Sequence, residues 1–143
     1  NMKKIFLSTL FIFLTSCSTS QVSLNKANPV PKDRVLSYSE YNPDYAKVEI
    51  TRDSGFLGGG CYLSVIFRES HLARFDVSEK ATFYLPEGEW NFAVAPDPMG
   101  KGLCSPTLGF NPAFEKKVIK NGQDNLFRIS SRAYRRPQLF VMK

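Results

Sequence analysis

The chain has 143 residues, 43% of them apolar and 22% charged, with a formal net charge of +6. That length and apolar share describe one ordinary domain with a real core, and they exclude a disordered chain. The positive balance is too modest to argue for nucleic acid; it suits an envelope protein beside anionic lipid or wall polymer.

Lys3 and Lys4 precede an apolar run, Ile5–Leu14, broken only by Ser8 and Thr9. A membrane-spanning helix needs about twenty apolar residues, roughly twice this run. A basic start, a short apolar core and small residues at its end describe a secretory signal peptide. The run ends in Leu14-Thr15-Ser16-Cys17, which resembles the bacterial lipobox of Leu, a small residue, then Gly, Ala or Ser, then Cys. The resemblance implies cleavage of residues 1–16, a lipid on the Cys17 sulfur and acylation of the new amine. It implies anchoring through Cys17, and Ser18 rather than Asp after the cysteine implies the outer membrane, facing the periplasm. Two or three acyl chains hold far more firmly than one, at about 0.8 kcal/mol per buried methylene. An ordinary secreted protein and a retained helical anchor are the alternatives.

Residues 17–45 are polar, carry Pro29, Pro31 and Pro43, and keep neither a helical nor a strand period. They read as a lipidated tether with a reach of about 90 Å extended or about 30 Å as a coil. Tyr38, Tyr41 and Tyr45 are candidates to dock its end.

From Ala46 to Lys143 the pattern alternates. In "AKVEITR" Ala46, Val48 and Ile50 share a face; in "CYLSVIFR" Cys61, Leu63, Val65 and Phe67 do. "LARFDV" offers Ala73, Phe75 and Val77, and "ATFYL" offers Ala81, Phe83 and Leu85. After the turn Pro86-Glu87-Gly88, "EWNFAV" points Trp90, Phe92 and Val94 inward. "FEKKVIK", the hairpin signal Asn121-Gly122, "NLFRIS" and "QLFVMK" complete the set. Seven to eight short strands with frequent turns predict a single all-β antiparallel sandwich over 46–143. The Gly- and Pro-rich stretch 96–113, which holds Cys104, reads as a long loop of the kind that is usually functional or disordered.

Residues 61–94, with the turn Leu85-Pro86-Glu87-Gly88-Glu89-Trp90 and the later "VIKNGQDNLFRIS", resemble the core of PEGA-type domains and related small bacterial lipoprotein domains. The resemblance covers roughly 46–131. It implies a small β-sandwich at the cell envelope, usually without an assigned activity. "GFLGGGC" and the cysteine-bearing loop depart from the pattern.

Of three cysteines, lipidation of Cys17 leaves Cys61 and Cys104. In an oxidising compartment an even pair is most simply a disulfide. Closing that loop of roughly 43 residues contributes about 4 kcal/mol in the chain-entropy model. A metal pair or a catalytic thiol are the alternatives, but the chain has one His to complete either.

No catalytic residue, metal set or cofactor is expected. Residues 55–61 lack the Gly-Lys-Ser/Thr of a phosphate loop and lead into a strand. His71 reads as a hairpin-turn residue, and no Gly-x-Ser-x-Gly marks a nucleophile. Asp76 with Glu79, or Asp97 with Glu87, could pair for glycoside hydrolysis, but acids in turns are usually just solvated. The most suggestive charged feature is "RISSRAYRR", with Arg128, Arg132, Arg135 and Arg136. Guanidinium forks match phosphate and carboxylate, so the expected anionic contact is lipopolysaccharide, peptidoglycan or an envelope protein. A solvated loop between the last two strands is the bland alternative. The expected role is a non-enzymatic binding or assembly module of the envelope, with an accessory subunit of a secretion or conjugation machine, a wall or lipid hydrolase and a small-ligand binder as rivals.

Overall fold

The computed structural model describes residues 18–55, 57, 60–97, 112–133 and 135–142. Among them run nine strands: β1 (Asn28–Pro29), β2 (Ala46–Arg52), β3 (Leu63–Phe67), β4 (Ser70–Phe75), β5 (Glu79–Leu85), β6 (Gly88–Pro96), β7 (Glu115–Ile119), β8 (Asn125–Ser130) and β9 (Gln138–Val141). A 3-10 turn at Lys32–Arg34 is the helical element among the described residues, and no helix there is long and apolar enough to cross a membrane.

The strands make two packed sheets, one ordered β1-β5-β2-β8-β9 and the other β4-β3-β6-β7. The predicted all-β sandwich is therefore present, with one refinement. Two of its pairings, β1 with β5 and β2 with β8, are parallel. The expectation of purely antiparallel pairing missed them because parallel neighbours come from distant parts of the chain, and no hairpin signal joins them.

Period-two patterning built the core where it was expected. Val48, Ile50, Val65, Phe67, Phe75, Phe83 and Leu85 are wholly buried between the sheets. Each large apolar side chain so buried contributes about 1.5–3 kcal/mol. Phe67 is the hub of an aromatic cluster: Tyr38 and Trp90 meet it edge-on at 5.2 and 5.9 Å between centroids, and Phe92 packs at 5.2 Å.

β4 departs from strict alternation. Ser64 faces Arg74 and Ile66 faces His71 across β3, so Val65 opposes both Leu72 and Ala73. This bulge lets Leu72 and Ala73 both be buried. The β3–β4 turn is Arg68-Glu69, with Arg68 at φ 57°, so His71, expected in the turn, stands on β4.

Residues 18–45 are a correction to the expected tether. They form a strap fixed along its length. Asn28 and Val30 donate backbone N–H groups to Ser78 and Lys80, both at 2.8 Å, on one sheet. Leu36 donates to Leu72 at 2.9 Å on the other, beside a Val35–Ala73 bridge. The strap thus crosses the side of the sandwich between the β5 and β4 edges. Its own Ala27 and Val30 are buried against the sandwich. Tyr38 joins the core cluster and Tyr41 meets Tyr84 edge-on at 5.4 Å, as the tyrosine docking reading anticipated. The strap shows no period because each partner takes only one or two of its residues.

Candidate functional site

Parallel pairing of β2 and β8 sends both strand ends, Arg52 and Ser130, to the same end of the sandwich. Ser18–Ser20, Asp53–Gly55 and Ser131–Arg132 gather there. Ser20 and Ser54 exchange backbone hydrogen bonds at 2.9 and 2.8 Å. Ser18 forms an antiparallel bridge with Arg132.

Asp53 is the polar centre of this end. It is 2% exposed, and its carboxylate accepts from Arg128 Nε at 2.9 Å, from Arg128 Nη2, and from Thr19 Oγ1 at 2.8 Å. Thr19 Oγ1 in turn accepts the Ser131 N–H at 2.9 Å, while the Thr19 N–H donates to the Ser131 carbonyl at 3.0 Å. A buried carboxylate held by a guanidinium fork and a hydroxyl has its lone pairs satisfied, which is the condition for tolerating its burial. Gly55 closes over the same threonine at φ +124°; a Cβ there would lie 3.3 Å from the Thr19 methyl. That close approach is the structural use of the first glycine in 55–61.

The four arginines therefore separate. Arg128 is committed to Asp53 and does not belong with the outward-facing cations. Arg132, Arg135 and Arg136 are exposed. The Arg132 guanidinium stands 5.9 Å from the Phe140 ring centroid.

The other acids near this end are also held. Glu79 takes Arg34 through both nitrogens of its fork at 2.7 and 2.8 Å and accepts the Asp76 N–H at 2.7 Å. Those hydrogen bonds hold the Arg34 guanidinium above its ordinary range, with burial working against them. Asp97 accepts Arg74 Nε at 2.8 Å. Of the carboxylate pairs considered for glycoside hydrolysis, Asp76 and Glu79 are joined through the Asp76 N–H, and Glu87 and Asp97 lie apart. Glu79 is bound by Arg34, and Glu87 and Asp97 flank opposite ends of the nine-residue strand β6.

Arg52 is 2% exposed and donates through Nη1 to the carbonyls of Cys61 at 2.7 Å and Phe75 at 2.8 Å. Burial lowers its pKa to about 10, with Asp76 and Glu79 pulling the other way. Cys61 itself is 2% exposed and disulfide-bonded. Cys17 and Cys104 lie outside the described residues, as does most of the 96–113 loop.

His71 Nδ1 lies 2.7 Å from Ser64 Oγ. This is a Ser–His contact that sequence spacing did not flag. Ser64 is wholly buried, and the pair ties β3 to β4. A cleft of about 790 Å³ lies outside the sandwich, between the strap and the outer face of β2 and β5, with Val35 and Glu40 on one wall and Glu49, Lys80 and Thr82 on the other. The small-ligand rival expected its pocket between the sheets, and the core residues fill that space.

Sequence reasoning missed Thr19 and Asp53. Thr19 sat in a segment read as tether, and Asp53-Ser54-Gly55 reads as an ordinary turn. Comparison with models of protein families, with curated proteins and with solved structures finds no match to this chain.

Proposed function

We propose that this protein is a bacterial lipoprotein of the outer membrane, facing the periplasm, and that it works as a non-enzymatic binding or assembly module. The observation that carries the reading is Leu14-Thr15-Ser16-Cys17 at the end of a short apolar run with a basic start. A bonded Cys61 suits an oxidising compartment. Pairing of Cys61 with Cys104 is part of the proposal. The binding surfaces proposed are the loops at the Asp53 end, carried on a rigid scaffold.

Exposed apolar side chains favour a second reading, an accessory subunit of a larger envelope assembly. Val141 on edge strand β9, Val118 on edge strand β7 and Phe114 just before it are 63%, 51% and 53% exposed. Edge strands with such side chains are places where another chain can add.

The test is the intact mass of the protein purified from its native membrane, with and without reduction and alkylation. A chain beginning at acylated Cys17 that gains two alkyl groups only after reduction supports the proposal. An unacylated chain with two alkylatable thiols before reduction overturns it.

A further inference from the structure

Cys17 precedes Ser18 by one peptide bond, about 3.8 Å between Cα atoms. Ser18 is bridged to Arg132, and Thr19 is held between Asp53 and Ser131. Whatever is attached to Cys17 is therefore attached beside the 131–137 loop, with no spacer between the anchor and the folded domain.

Most of the acid at this end is neutralised, and Asp76, beside Glu79, accepts the Val77 N–H. Asp53, Glu79 and Asp97 are each paired with an arginine of the fold: Arg128, Arg34 and Arg74. Arg135 and Arg136 are exposed and form no ion pair with a described residue, and Arg132 faces solvent beside them. Guanidinium keeps its charge at every physiological pH. Three forks without an ion-pair partner among the described residues thus stand next to the residue that follows Cys17.

We propose that Arg132, Arg135 and Arg136 form a contact site for the phosphate groups of anionic phospholipids in the membrane that holds Cys17. The inference rests on the lipoprotein reading and deepens it by naming the ligand class of the arginine loop. Because the lipid surface is fixed within a few ångströms of the loop, each contact is effectively intramolecular and need not be strong alone. Each arginine near an anionic surface is worth roughly a fivefold shift in population. The sandwich then stands upright on the bilayer. The 120–124 turn, at the other end of the six-residue strand β8, is held about 20 Å farther out.

The test uses the mature acylated protein reconstituted into vesicles of phosphatidylcholine alone or with 30% phosphatidylglycerol. Flotation with both vesicle types reports the anchor. Trypsin then reads orientation: it cuts after Arg132, Arg135 and, at the far end, Lys120, while Pro137 blocks cleavage after Arg136. The expected result is cleavage after Arg132 and Arg135 slowed about tenfold or more, relative to Lys120, by phosphatidylglycerol at low salt. The slowing should vanish at about 0.5 M salt, where screening lengths shrink below the contact range. Arg135→Gln with Arg136→Gln should remove the protection at Arg132 without changing cleavage at Lys120. Protein that floats with both vesicle types but is cut equally at the loop in each overturns the headgroup site while leaving the anchor intact. Protein that fails to float with phosphatidylcholine vesicles overturns the anchor, and the site with it.

Discussion

Thr19 donates its hydroxyl proton to the Asp53 carboxylate at 2.8 Å across a separation of 34 residues, and the same carboxylate holds the Arg128 fork. One buried acid thereby joins the chain entry, the end of β2 and the polar face of β8. Replacing Asp53 by Ala should cost about 3 kcal/mol, because it strands a largely buried guanidinium and a buried hydroxyl together. Thr19→Val removes one neutral partner and should cost about 1 kcal/mol. Urea unfolding of the two variants checks both; equal losses would mean that Arg128 finds another partner.

The strap should also melt locally before the sandwich unfolds. Arg34 and Glu79 form a two-pronged pair with side chains 15% and 8% exposed. A double-mutant cycle of Arg34→Met and Glu79→Gln should show coupling of about 1–3 kcal/mol. Either single variant should speed protease cutting in residues 21–45 while leaving β2 to β9 protected. A coupling near zero, with unchanged cutting, would mean that backbone bonds alone hold the strap.

The contrast between strap and sandwich shows what was legible in the residues. Val48 and Phe83 alternate with polar neighbours, so a period of two announced their strands and their buried face. Val30, Arg34, Val35 and Tyr38 each meet a different partner, so no local pattern announced them. The same holds for the Asp53 centre. Arg128 looked like one of a cluster because its partner lies 75 residues away, and only parallel pairing of β2 with β8 brings the two together. The exposed Arg132, Arg135 and Arg136 were visible as charge. The position of Arg132 beside Ser18 came from their bridge, a single residue pair.

Arg52 gives a pH signature. Arg52 Nη1 donates to the buried carbonyls of Cys61 and Phe75, so Arg52→Met should cost about 2 kcal/mol at neutral pH. Burial lowers the Arg52 pKa to about 10 in the folded protein, below that of the unfolded chain. Between those values the unfolded chain binds more protons than the folded one, so wild-type stability gains from rising pH. The gap between wild type and Arg52→Met should therefore stay flat from about pH 6 to 9 and widen above about pH 10. A gap that stays flat there would mean that Arg52 is better solvated than its 2% exposure implies.

Gly88 offers a test of the far end that spares the arginine loop. It sits at φ +139°, a region L side chains rarely adopt, and a Cβ there would meet the Trp90 ring at 3.3 Å. Trp90 is fixed by its own hydrogen bond, Nε1 to the Pro86 carbonyl at 2.8 Å, and by Arg68 stacked 4.5 Å from its ring centroid. Gly88→Ala should therefore cost about 1–3 kcal/mol in backbone strain and push the indole off Pro86. As the single Trp of the chain, Trp90 should report this as a shift in emission, read before any unfolding. Ser18, Thr19 and Arg132 lie at the opposite end, so trypsin protection of the loop on anionic vesicles should be unchanged in this variant. Loss of that protection would mean that the two ends of the sandwich are coupled through the core, and that vesicle protection reports overall stability rather than headgroup contact.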